Sequence, residues 1–340
     1  MKKLRITNPQ ITSYGGIANM LSILESYSET YSWIYSNFVQ MIYYQNKDGD
    51  YLHNMTGSLY ELETGLKYLP LYTYCPYFYV RSLSKDILFI NENIIHYIIN
   101  LLDNEYYFIG WINFFFIKAS KNYNQINSED GVLIYGYNLA SQILYCSGFV
   151  DGHYKQYETS FNEFKDAIYN EYEDNLYTKN ISLIKYDKTY KHTFSKHELY
   201  SYVYDYLYSQ DHNKKFSFIT DKNYWYGISY YDKVNEQFCN HNKDMRLIHN
   251  LVDHKIMMKN RLKFLYSKQE ISCENYGHLM NLNSTMYENL LILRNKTIKN
   301  NIRYNNEWPK NEIEAFSIRL NQVKDNDVAF CKSFLNILTK

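Results

Sequence analysis

One stretch, residues 106–168, restricts the possible folds of this chain more than any other. It opens with the apolar run Tyr106-Tyr-Phe-Ile-Gly-Trp-Ile-Asn-Phe114, followed by Gly131-Val-Leu-Ile-Tyr-Gly-Tyr-Asn138 and Gln142-Ile-Leu-Tyr-Cys-Ser147. Short bulky runs bounded by turn formers read as buried strands. Tyr137-Asn138-Leu139-Ala140 supplies a tight turn between the last two. A third strand fits Tyr154–Glu158, after Asp151-Gly152. Ser160 and Glu163 then form a capping box, in which the Ser hydroxyl accepts an orphan N–H and the Glu reaches back. Phe161, Phe164 and Ile168 face one way behind it, so a helix follows the strands.

Helical spacing also marks the flanks. Ile17, Met20, Leu21 and Leu24 predict a first helix from about Gly16, and Trp33, Ile34, Phe38 and Ile42 a second. The segment 47–76 is punctuated by Gly49, Gly57, Gly65, Pro70 and Pro76, with Leu59, Leu62 and Leu66 spaced for a short helix. Ile94, Ile95, Ile98, Ile99 and Leu102 predict a helix ahead of a strand at 106–116. A second capping box, Ser195-Lys-His-Glu198, opens a helix to about Tyr208. Helices are then expected over 227–240, 243–267, 283–301 and 311–337. The fold class expected is α+β: a helix against an antiparallel sheet in residues 1–178, and a mainly helical region, 179–340, packed on it.

Composition excludes several functions. The formal net charge is zero, so nothing steers the chain to nucleic acid or an anionic membrane. No apolar stretch approaches the ~20 residues of a membrane span. There is no GxGxxG and no Walker-type phosphate loop. The five cysteines (Cys75, Cys146, Cys239, Cys273 and Cys331) form no CxxC and no disulfide framework, which points to a reducing, cytoplasmic setting. The 40 tyrosines suit a carbohydrate- or peptide-binding surface, or record base bias in the coding sequence. Lys185-Tyr-Asp-Lys-Thr-Tyr-Lys191 interleaves rings with cations, and in a neutral chain it reads as a solvated loop.

Metal binding is tested by spacing. Cys239, His241, His249 and His254 invite a zinc reading. Zinc helices use spacings of three or four, however, and a spacing of five swings two side chains about 140° apart. Leu247, Leu251, His254, Met258, Arg261 and Leu262 instead form a helical stripe, a clamp packed on the first domain. Asp253, or Asp244 with Arg246, is expected to make ion pairs. Cys146 lies on a strand whose side chains alternate, so it faces the core if Ser147 faces a cleft. Cys75-Pro76 follows an irregular segment and has no His near it in sequence.

Three segments carry a resemblance: Ile11-Thr-Ser-Tyr-Gly-Gly-Ile-Ala-Asn19, Asp130–Asn138 with Ile143–Gly152, and Asp244-Met-Arg-Leu-Ile-His-Asn-Leu-Val-Asp-His-Lys255 continuing to Met258 and Arg261. In this order they resemble the amino-terminal part of butirosin biosynthesis protein H. That family is similar to bacteriocin-processing cysteine peptidases and has a branch linked to nonribosomal peptide synthetases. The resemblance implies a papain-like amino-terminal half. It also implies a Cys at the start of the first helix, a His on a strand and an orienting Asp or Asn on the next.

Carried over by position, the Cys place falls at Tyr14, the His place at Asp130 and the orienting place at Ser147; none has the required side chain. A phenol is a poor acyl acceptor without a base. Ser13 is a possible substitute nucleophile that still needs a base within hydrogen-bond reach. The expected function is a pseudoenzyme: a degenerate cysteine-peptidase or acyltransferase relative that binds a peptidyl or acyl group, or its carrier protein, in nonribosomal peptide biosynthesis. The alternatives are an active acyltransferase or amide-forming or amide-cleaving enzyme using Ser13 or Tyr14 with Asp130, and a structural interaction protein. No cofactor or metal is implied. The expected partners are an acyl or peptidyl carrier protein or a peptide intermediate, with no nucleic acid and no membrane. The sequence leaves the oligomeric state open.

Overall fold

Short bulky runs bounded by turn formers over 129–160 produce an antiparallel meander, and the rest of one unit is assembled around it. The computed structural model describes residues 1–45, 51–56, 75–88, 93–170, 172, 178–211, 224–240 and 243–339. In chain order these form β1 (Lys2–Lys3), α1 (Gly15–Leu24), α2 (Tyr31–Ser36), β2 (Gln40–Gln45), β3 (Tyr51–Thr56), β4 (Phe78–Ser84) and α3 (Lys85–Leu88). They continue with α4 (Ile94–Asp103), β5 (Tyr106–Asn113), β6 (Glu129–Asn138), β7 (Ile143–Val150), β8 (His153–Ser160), α5 (Phe161–Tyr169), β9 (Asn180–Tyr186) and α6 (Lys196–Leu207). β10 (Tyr224–Tyr226), α7 (Ser229–Asn240), α8 (Met245–Ser267), α9 (Cys273–Tyr304) and α10 (Lys310–Leu338) complete the order. The architecture is thus mixed helix and sheet, with an antiparallel sheet and a helical carboxy-terminal half. Among the described residues, no helix is long and apolar enough to cross a membrane.

The chain forms two compact units, one from Met1–Thr30 with Leu66–Lys191 and the other from Tyr31–Gly65 with His192–Lys340. This division is discontinuous, in place of the single cut expected at 178/179. β9 pairs with both β4 and β5, so the strand just beyond the expected cut belongs to the first sheet.

In the first unit the strands run β4-β9-β5-β6-β7-β8, with β1 added beside β6. β6 changes register between Ile134 and Gly136, and β1 joins it there. A Cβ on Gly136 would lie 2.6 Å from the Lys2 carbonyl oxygen, so only glycine admits β1 at that distance. Asn138 makes the expected turn by accepting the Ala140 N–H at 3.1 Å.

One sheet face carries Phe108, Ile112, Val132, Ile134, Leu144, Cys146 and Val150. They pack with Ile94, Ile98 and Leu102 of α4 and Phe164 and Ile168 of α5 in one apolar cluster. α1 lies on the opposite face, against β6 and β7. The capping box at Ser160 and Glu163 is formed in both directions and starts α5 where β8 ends. The strand expected to reach residue 116 stops at Asn113. There the Asn113 side chain accepts the Phe115 N–H at 3.0 Å and turns the chain into a short 3-10 helix.

In the second unit β10, β2 and β3 form a small antiparallel sheet beside the helices. Ile42, expected on the second helix, lies on β2 instead. α2 stops at Ser36 because Phe38 adopts left-handed backbone (φ 55°) and the buried Arg261 guanidinium takes the free carbonyls of Tyr35, Asn37 and Phe38. α8, the expected clamp, packs on α9, α2 and β3, all in its own unit. The helix expected from 283 begins at Cys273, capped by Ser272. The short helix expected at Leu59, Leu62 and Leu66 lies outside the described residues.

Candidate functional site

The site is built from one cross-strand row on the α1 face of the first sheet. Trp111 of β5 pairs with Gly131 of β6. Val132 pairs with Gly148, so the next step of that register sets Gly131 beside Phe149 of β7. Phe149 pairs with Tyr154 of β8, and their rings meet edge to face at 5.7 Å. Directly paired residues on neighbouring strands share a face. The row therefore reads Trp111, Gly131, Phe149, Tyr154. Among the described residues, a Cβ placed on Gly131 meets nothing within 4 Å. A bare backbone floor thus lies between two large aromatic side chains. Strands about 4.8 Å apart set the Trp111 and Phe149 backbones roughly 10 Å apart, with the gap between their rings narrower by the thickness of the side chains.

The amino-terminus of α1 stands at one wall of the slot. Tyr14 is its N-cap in extended backbone, without a side-chain capping bond. A Cβ on Gly15 would meet only the Phe149 ring, at 3.5 Å. One turn further along α1, Asn19 is buried, and its Oδ1 accepts the Tyr154 hydroxyl at 2.7 Å. Ser147 sits beneath, buried on the same face of β7. Burial pushes the Tyr154 phenol up to about 12, and contacts with Ser147 and Ser22 partly offset this. The slot's floor is backbone and its flanks are aromatic. Beyond Phe149, on the side away from Gly131, Tyr154 and Asn19 form a neutral hydrogen-bonded pair with Ser147 close by.

Tyr14 and Ser147 lie on the α1 face, and the Ser13 Oγ just ahead of them is shut away from solvent. Asp130 is on the other face. It pairs with Ile112, shares the parity of Val132 and Ile134, and acts electrostatically on Tyr157 in the core behind the sheet. Burial raises its carboxyl to about 6, and the bond from the Gly131 N–H at 2.6 Å partly opposes this. A neutral-pH base is therefore present in the chain, with the sheet between it and Tyr14. Asp130 with Tyr14 or Ser13 is not an assembled set.

Cys146 faces the α4/α5 core, fully buried, with burial pushing its thiol well above the ordinary range. Cys75 is buried in the turn before β4, its carbonyl accepting the Phe78 N–H at 3.0 Å. Among the described residues no group of three His, Cys, Asp or Glu side chains could hold a metal, and His241 lies outside them. His254 is buried, bonded to the Val39 carbonyl at 2.8 Å, and His249 stands 3.9 Å from Asp253. Asp244 caps α8 and pairs with Arg246 at 2.6 Å.

Sequence reasoning missed the slot itself, together with Asn19 and Tyr154. Asn19 left a signal, as an amide among Ile17, Ala18, Met20 and Leu21 where helix burial is complete. Gly131 left one too, because a glycine inside a bulky strand marks close approach or an empty place. No protein-family profile matches the chain, and comparison with curated proteins finds no match.

Proposed function

We propose that this chain binds a peptidyl or acyl group without transferring it. The scaffold would be that of a cysteine peptidase related to the butirosin biosynthesis protein H family, with the reactive trio replaced. The bound group would belong to nonribosomal peptide biosynthesis and arrive on a carrier protein. The five free thiols fit a reducing, cytoplasmic setting. The order of α1, antiparallel strands and α5 is compatible with a papain-like half.

The carrying observation is the slot floored by Gly131 between Trp111 and Phe149, at the start of α1. Flanking rings grip an acyl chain by apolar contact, and helix N–H groups favour its carbonyl oxygen. Beyond Phe149, Tyr154 and Asn19 form a neutral hydrogen-bonded pair, and the buried Ser147 Oγ beside them makes no hydrogen bond. They can orient a polar backbone but hold no activated nucleophile.

Titration with acyl N-acetylcysteamine thioesters, followed by Trp111 emission against a Trp111→Phe blank, tests this. Wild type should bind reversibly. Gly131→Val should weaken binding about tenfold by filling the floor, with unchanged circular dichroism. Intact mass should show no acyl adduct. Equal affinity in Gly131→Val would sink the slot, and an adduct lost in Ser13→Ala or Tyr14→Phe would make the protein an enzyme.

A further inference from the structure

The first sheet ends in an open strand: among the described residues, β8 pairs with β7 alone. The turn between them, Asp151-Gly152, has both residues in left-handed backbone (φ 57° and 80°), as in the two-residue hairpins whose closing pair is hydrogen-bonded. That closing pair is Val150 with His153, and the register runs on from it without a bulge. Bonding direction alternates along an antiparallel strand. His153, Lys155, Tyr157 and Thr159 therefore turn their backbone groups towards β7, and Tyr154, Gln156 and Glu158 turn theirs outward. The Ser160 N–H, next in the outward series, is taken by the Glu163 carboxylate at 3.3 Å. Among the described residues, the outward N–H and C=O groups of Tyr154, Gln156 and Glu158 have no hydrogen-bond partner. Gln156 and Glu158 are exposed.

We infer that this edge takes up an extended peptide segment carrying a basic residue, as a further antiparallel strand. Donors and acceptors recurring every second residue, about 6.8 Å apart, match the backbone of an added strand. Native edges are commonly blocked by a proline, a bulge or an outward lysine. β8 has neither proline nor bulge, and its Lys155 turns back to Asp151 at 3.8 Å. The side chains of the outward residues lie on the α1 face. There the Tyr154 hydroxyl is committed to Asn19, and Gln156 bonds to Asn8 and Tyr135. Lys3 is held over the Tyr145 ring at 3.5 Å. Glu158 is left as an exposed carboxylate without an ion pair among the described residues. A second copy of the chain cannot answer it. Two-fold pairing sets outward residues opposite outward residues, so Glu158 would meet Tyr154, Gln156 or another Glu158, and never a cation. A peptide strand can place Lys or Arg there. The edge is separate from the slot, and the inference does not depend on what the slot binds.

Fluorescence anisotropy of the full chain with a fluorescein-labelled peptide, Val-Lys-Val-Thr-Val-Thr-Val, tests this. Wild type should bind. The N–H groups of Tyr154, Gln156 and Glu158 should gain protection from hydrogen exchange, and those of Lys155 and Tyr157, already in the ladder, should not change. N-methylation of the peptide's Lys and Thr amides, which face β8, should abolish binding, whereas N-methylation of its inner Val amides should cost little. Glu158→Pro removes one outward donor and keeps the β7 ladder, since an edge strand tolerates proline where the nitrogen faces solvent. It should weaken binding about tenfold. Glu158→Gln should weaken it about threefold, and Glu in place of the peptide's Lys should do the same. The methylated peptides meet the wild-type chain, so the test stands even where the proline variant does not fold. No binding, or equal affinity for the two methylated peptides, overturns the inference. A concentration-dependent dimer that Glu158→Pro abolishes, with no peptide binding, overturns it in favour of a second copy. Gly131→Val should leave peptide affinity intact, and Glu158→Pro should leave thioester affinity intact, so failure of the edge and failure of the slot are separately visible.

Discussion

Glu25, the residue that closes α1, shows how burial sets a proton equilibrium. Its side chain is almost fully covered, and one oxygen accepts the Gln10 N–H at 3.2 Å. Burial pushes the carboxyl up to about 8, and that hydrogen bond only partly opposes it. The unfolded chain ionises near the ordinary 4.5, so between pH 4.5 and 8 the native state holds the extra proton. The contribution to stability is full below 4.5 and is lost as the pH rises towards 8. Over that window the loss is roughly 3–5 kcal/mol. Glu25→Gln keeps the shape and removes the titration. Urea melts at pH 5 and pH 8 should therefore differ less in the variant than in wild type. An identical pH slope in the two proteins would locate the titration elsewhere. Asp130 acts with the same sign over pH 3.8 to about 6.

Elements were legible where their causes are local. Ser160 with Glu163, and Ser195 with the Glu198 N–H, start α5 and α6 from bonds three residues long. Bulky runs closed by a tight turn gave β6 and β7, and alternation along β7 gave the opposition of Cys146 and Ser147. The boundary between α2 and β2 was illegible because its cause is Arg261, 226 residues from Tyr35. The Asp130–Tyr14 pairing failed for a related reason: parity on a strand assigns a face only once a neighbour is known.

The helical unit hides a further non-local cause. Asp327 of α10 is fully buried, with one oxygen 2.6 Å from Lys255 of α8. The same oxygen accepts the hydroxyls of Tyr206 at 2.7 Å and Tyr231 at 2.9 Å. Burial alone would raise this carboxyl, but Lys255 and His254, with the hydrogen bonds from Lys255 and Tyr206, hold it below the ordinary range. Lys255→Met should cost about 3–5 kcal/mol, because it strands a buried anion. Lys255→Met with Asp327→Asn keeps an acceptor for the phenols and should cost less than the single change. A double-mutant cycle from urea melts would read the coupling, and strictly additive losses would show the pair to be independent.

At the scale of the molecule, the chain crosses between its two units at 30/31, 65/66 and 191/192, and this order makes the carboxy-terminal helices depend on an early segment. Arg261 has its guanidinium bonded to the carbonyls of Tyr35, Asn37 and Phe38. His254 gives its ring nitrogen to Val39 at 2.8 Å and stacks on Tyr206 at 4.7 Å. Burial lowers the guanidinium to about 9, so removing those carbonyls would leave a cation with only the weak Met258 sulfur as acceptor. Residues 192–340 expressed alone should therefore form helix without fixed tertiary packing, with weak near-ultraviolet dichroism and dye binding to exposed apolar surface. The same residues joined to 31–65 through a Gly/Ser linker regain the acceptors and the β2 strand. That fusion should recover a cooperative thermal transition, and Arg261→Met in it should lower the midpoint by several degrees, on the order of what 2–3 kcal/mol gives in a domain of this size. A cooperative transition in residues 192–340 alone would show that the early segment decorates this unit without being needed to form it.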